Sequence, residues 1–389
     1  MQTAYVLVTP YTIRKSRTGA VLARLLARVS CELVAARMFA PDRGLAERYA
    51  AMIQPGETAE LEKYRGQIRD YILKNLAPDA DGRRHRTLML VFKGEDAIQE
   101  IAGIVGHLQS SSYTGETIRD TFGDTIFDPD GAIRYFEPCV LLADGPDRVA
   151  AELRLWSEFA RHQPAMLTNI CSYPNPERVQ QTLVILKPDS WRKGSSRPGA
   201  ILDMFSRTGL RIIGCKLCRI SVSQAMEFYG PVKDVLCQKL APGIGARARE
   251  ILQHQLGVAL PAEAEKALTA AVGVPYACDQ FEKIVQFMTG HRPSAQPTAE
   301  WQNPGTASCL AVVYEGEDAV AKIRNVLGPT DPSKAPSGTV RREFGLDVMV
   351  NTAHASDSPE SFRREAGILR LTESEFPAVV AATLAECGP

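Results

Sequence analysis

Long apolar runs and net charge are both scarce in this chain, and each shortage removes a class of protein. No uninterrupted apolar segment is long enough to span a bilayer. Lysine plus arginine, 45, equals aspartate plus glutamate, 45, so the formal charge is zero. That balance argues against a chain-wide nucleic-acid or membrane-surface role and leaves only local basic patches. The nine cysteines are odd in number and scattered without a disulfide framework, which suits a reducing cytoplasm. The close pair Cys215 and Cys218, in "GCKLCRIS", lies in a strand-like run without partners at metal or redox spacing and reads as buried thiols. The start, "MQTAYVLVTPYTIRKS", reads as a strand followed by a basic loop rather than as a signal peptide. Walker A, G-x-S-x-G and H-E-x-x-H patterns are absent, and "GIGARA" fits a dinucleotide turn poorly. The 389 residues suffice for two domains or one large one, each with a real core.

What the chain does have is one unit written twice. "YVLVTPYTIRKSRTGAVLARLLARVSCELVAARM" (5–38) lines up with "LVILKPDSWRKGSSRPGAILDMFSRTGLRIIGCKL" (183–217). "LVFKGEDAIQEIAGIVG" (90–106) matches "VVYEGEDAVAKIRNVLG" (312–328), and "GETIRDTFGD" (115–124) matches "SGTVRREFGL" (337–346). Each copy reads strand–helix–strand, helix, strand, helix, strand. That order predicts an α+β fold: two tandem ferredoxin-like (split βαβ) domains, each an antiparallel sheet with helices packed on it. The expected domains are residues 1–170 and 181–389, joined by a polar, proline-containing linker at 171–180. Tyr49 pairs with Tyr229, an offset of 180, and Gly94 pairs with Gly316, an offset of 222, so the second copy is 42 residues longer between these landmarks. The insert falls at about 236–305. Its first part (240–276) is helical in pattern, and its second (290–305) is a Pro/Gly/Gln-rich loop.

One of only six histidines stands in "VNTAHASDSPESFRREAG" (350–367). Ser358 suits an N-cap and Pro359 the first helical position, so a helix is expected to start there. His354 would then lie near a positive helix end, where anions are welcome. Glu365 is seven residues after Ser358 and so on the same helix face as the cap, where a carboxylate could fix an imidazole's tautomer. Taken alone, a histidine beside a helix start is most often a packing residue. Around it, however, are Lys187, Arg192, Lys193 and Arg197 at the first strand–helix turn and Arg324 on a helix. Thr330, Arg341 and Arg342 flank the loop "GPTDPSKAPSG". Cations, a hydroxyl and a loop rich in backbone donors are what a polyphosphate needs.

"LVILKPDSW", "GPTDPSKAPSGTVRREFG" and "NTAHASDSPESFRREAGIL" together resemble the nucleoside diphosphate kinase family, whose signature is Asn-x-x-His-[Gly/Ala]-Ser-Asp. Asn351, His354, Ala355, Ser356 and Asp357 fit it. The resemblance covers most of 180–389 and, more weakly through the repeat, 3–160. It implies a ping-pong kinase in which His354 takes the γ-phosphate of a nucleoside triphosphate and passes it to a nucleoside diphosphate. Glu365 and Ser356 would order the ring, and Lys187 would touch the phosphates and the ribose 3′ oxygen. Asn351 would contact the ribose, while Tyr229, Arg324, Thr330 and Arg341 match phosphate-contacting positions. Magnesium would be carried by the nucleotide phosphates, with no protein metal cluster. The family's base-stacking position falls on Gln280, so base contact passes to Phe281, to Tyr276 or to the insert. Family members form hexamers built from dimers, so a homo-oligomer is expected. The alternative is a pseudoenzyme, a binding or assembly protein whose insert blocks or repurposes the nucleotide cleft.

The first copy has lost the chemistry. Lys187 becomes Thr9, Asp189 becomes Tyr11, Arg324 becomes Ala102 and Thr330 becomes Leu108. Arg341 keeps Arg119 and Tyr229 keeps Tyr49. Aligning the prolines of "LLADGPDRVAAEL" and "HASDSPESFRREA" sets Leu141 opposite His354 and Glu152 opposite Glu365, and residues 108–161 contain no histidine. The first domain is therefore expected to be a structural partner standing in for a second subunit, with a regulatory nucleotide site as the lesser reading.

Overall fold

A computed structural model describes residues 1–108, 114–130, 132–191 and 194–387. The expected cations Arg192 and Lys193 lie outside the described residues. The molecule is an α+β protein with two four-stranded antiparallel sheets. In the N-terminal half the strands are β1 (Gln2–Val8), β2 (Glu32–Phe39), β3 (Thr87–Gly94), β4 (Asp124–Phe127), β5 (Ile133–Glu137) and β6 (Val140–Leu141). The sheet runs β2-β3-β1-β6, while β4 and β5 form a separate ribbon. Because β3 is antiparallel to both β1 and β2, those two strands run the same way with β3 inserted between them. In the C-terminal half β7 (Val179–Leu186), β8 (Arg211–Cys218), β9 (Cys309–Glu317) and β10 (Ala353–Ala355) follow the order β10-β7-β9-β8. The central strands β1 and β7 are read off the sequence as continuous apolar runs, "YVLV" and "LVIL". All of these residues are buried, as strands covered on both faces must be.

The basic stretch after β1, read above as a loop, contains a short helix, Pro10–Arg14. Thr9 caps it by accepting from Thr12 N at 3.3 Å, and Pro10 supplies a φ already suited to the first turn.

Two compact units divide the chain: residues 1–217 with 310–389, and residues 218–309. Within the first, the helices Thr18–Arg28 and Arg197–Ser206 cross at backbone contact. A Cβ on Gly19 would stand 2.3 Å from Asp203 N, and one on Gly199 would stand 2.0 Å from Ala23 N. The repeat pairs Gly19 with Gly199 and Ala23 with Asp203, so each helix offers the other the same patch, as in an isologous contact. The last helix, Phe376–Cys387, packs on the first half. Its Phe376 ring meets Phe39 edge-on at 5.3 Å, and Glu386 pairs with Lys93 at 2.7 Å.

The second unit is helical. Its longer helices, Ala241–Leu256 and Val274–Thr289, are joined by tight packing at Gly273, where a Cβ would meet the Ala241 carbonyl oxygen at 2.2 Å. Residues 290–305 carry only short 3₁₀ turns, at Pro293–Ala295 and Thr298–Glu300. Among the described residues no helix is long and apolar enough to cross a membrane.

Overpacking the crossing tests its tightness. Gly199→Val is expected to lower the unfolding free energy by about 1–3 kcal/mol, read as a fall in the urea midpoint. An unchanged midpoint would show that the helices have slack.

Candidate functional site

The histidine region is assembled on the edge of the second sheet. β10 pairs with β7, setting His354 opposite Ile185. The chain then turns into the helix Pro359–Ile368, capped by Ser358, whose hydroxyl accepts from Ser361 N at 3.0 Å. Proline at the first position and serine before it fix that start locally. Helix and strand together bring Glu365 back against His354. Nε2 of His354 lies 3.0 Å from Oε2 of Glu365, whose side chain is only 4 % exposed. The Ser356 hydroxyl donates to the same carboxylate oxygen at 2.6 Å and accepts from Leu183 N at 3.4 Å. Backbone, hydroxyl, carboxylate and imidazole thus form one chain, and its outer member, with 22 % of its side chain exposed, reaches solvent. A carboxylate buried this deeply needs such partners, because an unpaired buried charge is costly.

The polar residues beside it hold the backbone as much as they line a surface. Lys187 follows β7, is 8 % exposed, and donates from Nζ to Asn351 Oδ1 at 2.7 Å and to the Met349 carbonyl at 3.2 Å. Asn351 donates in turn to the Thr330 and Val348 carbonyls at 3.1 and 2.8 Å. Arg341 donates to the carbonyls of Gly328, 2.9 Å, and Ala353, 3.1 Å, pinning the residue before His354. Arg324 and Thr330 are exposed. The Ser361 hydroxyl holds the Asp357 carboxylate below its ordinary value, and the Arg324 guanidinium adds to the effect. Tyr229 and Phe281 belong to the second unit. Tyr229 is buried after the helix Val222–Phe228. Phe281 is 2 % exposed, with the Lys233 ammonium 5.8 Å from its ring centre, whereas Tyr276 keeps 42 % of its surface.

Two features escaped the sequence. Thr352 has φ +78°, a left-handed conformation that a β-branched residue rarely adopts, and no local motif announces it. Arg197, read as a phosphate cation, is turned inward. It donates to Thr352 Oγ1 at 3.0 Å and to the Phe344 carbonyl, and its guanidinium pairs at 3.5 Å with Asp189. The strained turn is held from both sides, since Lys187 N donates to the Thr352 carbonyl at 2.9 Å. Arg342 likewise donates to the Ser333 carbonyl, at 3.3 Å.

The N-terminal half repeats the frame with other side chains. Leu141 pairs with Leu7 on β6. Arg119 donates to the carbonyls of Gly106, 2.6 Å, and Val140, 3.1 Å. Glu152 is fully buried and bonded to the Tyr5 hydroxyl and, at 2.7 Å, to Arg148.

The sequence model of the family "Nucleoside diphosphate kinase" matches residues 180–236 and 280–374. The nucleoside diphosphate kinase of Staphylothermus marinus is 28% identical over 191 residues, 49% of this chain and 92% of that protein. That of Dehalococcoides mccartyi is 29% identical over 198 residues, 51% of this chain and 96% of that protein. Among solved structures, the Aquifex aeolicus nucleoside diphosphate kinase shares 28% identity over 49% of this chain and 94% of that one, with a TM-score of 0.30. The C-terminal half of the chain, over about residues 180–374, carries a nucleoside diphosphate kinase family domain.

Two outcomes follow from the buried polar groups. Ser356→Ala removes a hydroxyl that bonds a buried carboxylate and is expected to cost about 1–3 kcal/mol in urea unfolding. Burial raises the Asp189 carboxyl above its ordinary 3.8, against the pull of Arg197 and Lys187. A raised carboxyl binds its proton more tightly in the folded state, so stability should decline as pH rises from 3.8 toward the folded value. Asp189→Asn should flatten that decline in Tm; an identical pH profile would show that Asp189 ionises without cost.

Proposed function

We propose that the chain is a nucleoside diphosphate kinase with one competent site. It moves the γ-phosphate of a magnesium-bound nucleoside triphosphate to a nucleoside diphosphate through phospho-His354. The observation that carries this is the imidazole held by Nε2 at 3.0 Å from buried Glu365, within a half that carries the family domain. With Nε2 3.0 Å from the carboxylate oxygen, that nitrogen would hold the ring proton and leave Nδ1 its lone pair. In the first half-reaction Nδ1 attacks the γ-phosphorus, the bond to the β,γ-bridging oxygen breaks, and the diphosphate leaves with the electron pair. In the second, a terminal oxygen of the acceptor's β-phosphate attacks the phosphorus and the N–P bond breaks, restoring the histidine. Splitting the transfer at histidine lets one site serve both nucleotides in turn.

Glu365 supports the charge that the ring gains, and Ser356 keeps the carboxylate oriented. Lys187, Arg324 and Arg341 would supply positive charge toward the phosphates, and Thr330 a hydroxyl. Asn351 would meet the ribose, and Tyr229 the phosphates. Base contact would come from Phe281, Tyr276 or the insert; Phe281 is buried and Tyr276 exposed. Phosphoryl transfer asks mainly for this kind of positioning and charge. The N-terminal half would serve as a degenerate copy that replaces a second subunit. Its shared strand order, the Arg119 and Arg341 contacts, and the facing glycines support that reading.

One observation favours the rival reading, a nucleotide-indifferent assembly protein: the Lys187 ammonium is already bonded to Asn351 and to the Met349 carbonyl. Single-turnover labelling separates the two. Protein mixed with γ-labelled ATP and magnesium should acquire an acid-labile, alkali-stable label that GDP removes. His354→Ala should abolish it and Leu141→Ala should leave it intact. Glu365→Gln should slow labelling roughly 100-fold, the cost of losing one preorganised electrostatic contact. A folded wild-type protein that takes no label would support the assembly protein instead.

A further inference from the structure

In the N-terminal half, the positions that the repeat pairs with site residues of the C-terminal half line one cleft of about 830 Å³: Tyr49, Ala102, Leu108, Arg119 and Leu141. At these positions polar side chains of the C-terminal half are replaced by apolar ones. Where the C-terminal half has Arg324, Thr330 and His354, this cleft has Ala102, Leu108 and Leu141. Its remaining inner cation, Arg119, is committed to the Gly106 and Val140 carbonyls. A polyphosphate lodged here would bury several charges against hydrocarbon, which is prohibitive. One wall comes from the helix Ala59–Asn75, through Leu61, Tyr64 and Ile68, and is also apolar.

The other arginines that line the cleft are Arg65 and Arg148. Arg65 Nη2 and Arg148 Nη1 both face Asp144, at 3.7 and 3.0 Å, while Arg148 Nε is held by Glu152 at 2.7 Å and Arg65 Nη1 by the Pro55 carbonyl at 2.7 Å. The Asp144 side chain is 60 % exposed, so its ion pairs are weak and exchangeable. An anionic head able to take both guanidinium groups would displace it with better geometry. The volume lies within the range of small-molecule sites, whose lining is mostly apolar with few polar groups fixing orientation.

We propose that this cleft binds a small amphipathic anion: an aliphatic or aromatic body seated on Leu141, Leu108 and Tyr64, with one carboxylate or phosphate head held by Arg65 and Arg148. The proposal rests on the internal-repeat reading but not on transfer at His354.

The full chain would be titrated with 1-anilinonaphthalene-8-sulfonate, an aromatic body with one anionic group, and the dye then displaced by decanoate or by decyl phosphate. Saturable binding is expected, and whichever competitor displaces the dye at lower concentration identifies the head. Gly103 lines the cleft, and a Cβ added there meets nothing within 4 Å. Gly103→Trp should therefore fill the cleft and abolish binding with the thermal melt unchanged. Arg65→Ala should weaken binding about tenfold, the loss of one charge-assisted contact. His354→Ala should bind as wild type does, which keeps this result independent of the kinase reading. Equal dye binding by wild type, Gly103→Trp and Arg65→Ala would overturn the proposal. So would displacement by magnesium-ATP at lower concentrations than either amphiphile needs.

Discussion

Two glycines decide that the sheets share one body. Gly19 and Gly199 leave no room for a Cβ, so the helices that carry them touch backbone to backbone. Close approach of this kind requires the missing side chain, at some cost in helix propensity. Contacts elsewhere also link the halves. Arg37, buried on β2, donates to the Gln163 carbonyl and to the Ser374 hydroxyl, and Arg86 donates to the Ile212 carbonyl at 2.7 Å. The last helix of the chain places Phe376 against Phe39, in the core beside Trp156. The N-terminal half is thus part of the surface on which the C-terminal half completes its own packing.

The two halves show what is kept when the side chains at matching positions differ. His354 and Ser356 face Leu141 and Ala143 in the alignment, so the imidazole and the hydroxyl that share the Glu365 carboxylate are missing together. The carboxylate stays. Glu152 sits where Glu365 sits, and its burial raises its pKa. It is partnered by Arg148, one helical turn earlier, and by the Tyr5 hydroxyl in place of histidine and serine. A buried charge has to be answered by something, whether or not the site does any work. The backbone frame obeys the same logic, because Arg119 and Arg341 bind equivalent carbonyls in both halves.

Much of this was legible in the sequence because it is local or repeated. The helix start at Ser358 and Pro359 follows from two adjacent residues, and the paired strands from apolar runs that recur in order. Glu365 was expected on the face of the helix that carries its cap, and it is found there against His354. What stayed hidden depends on contacts far apart in the chain. Arg197 looks like any cation near a turn; only the fold brings Phe344 and Thr352 to it. The positive φ of Thr352 has no signature, since glycine or asparagine would be the usual choice. The facing glycines appear in the sequence as "TGA" and "PGA", but nothing local says that they meet.

The hidden features share a physical origin. A strained turn at Thr352 must be over-determined by its surroundings, and Arg197, Asp189 and the Lys187 backbone supply that excess. Its effect is to set Asn351 and His354, which directly flank Thr352 and Ala353, at a fixed separation. Side chains that look like ligands in a sequence therefore divide in the structure into two kinds. Arg197 and Arg341 bind carbonyls and shape the turn, while His354 and Arg324 reach the surface. Counting cations in a motif overstates how many face a phosphate, because a polar site cut into an apolar sheet edge must first satisfy its own backbone.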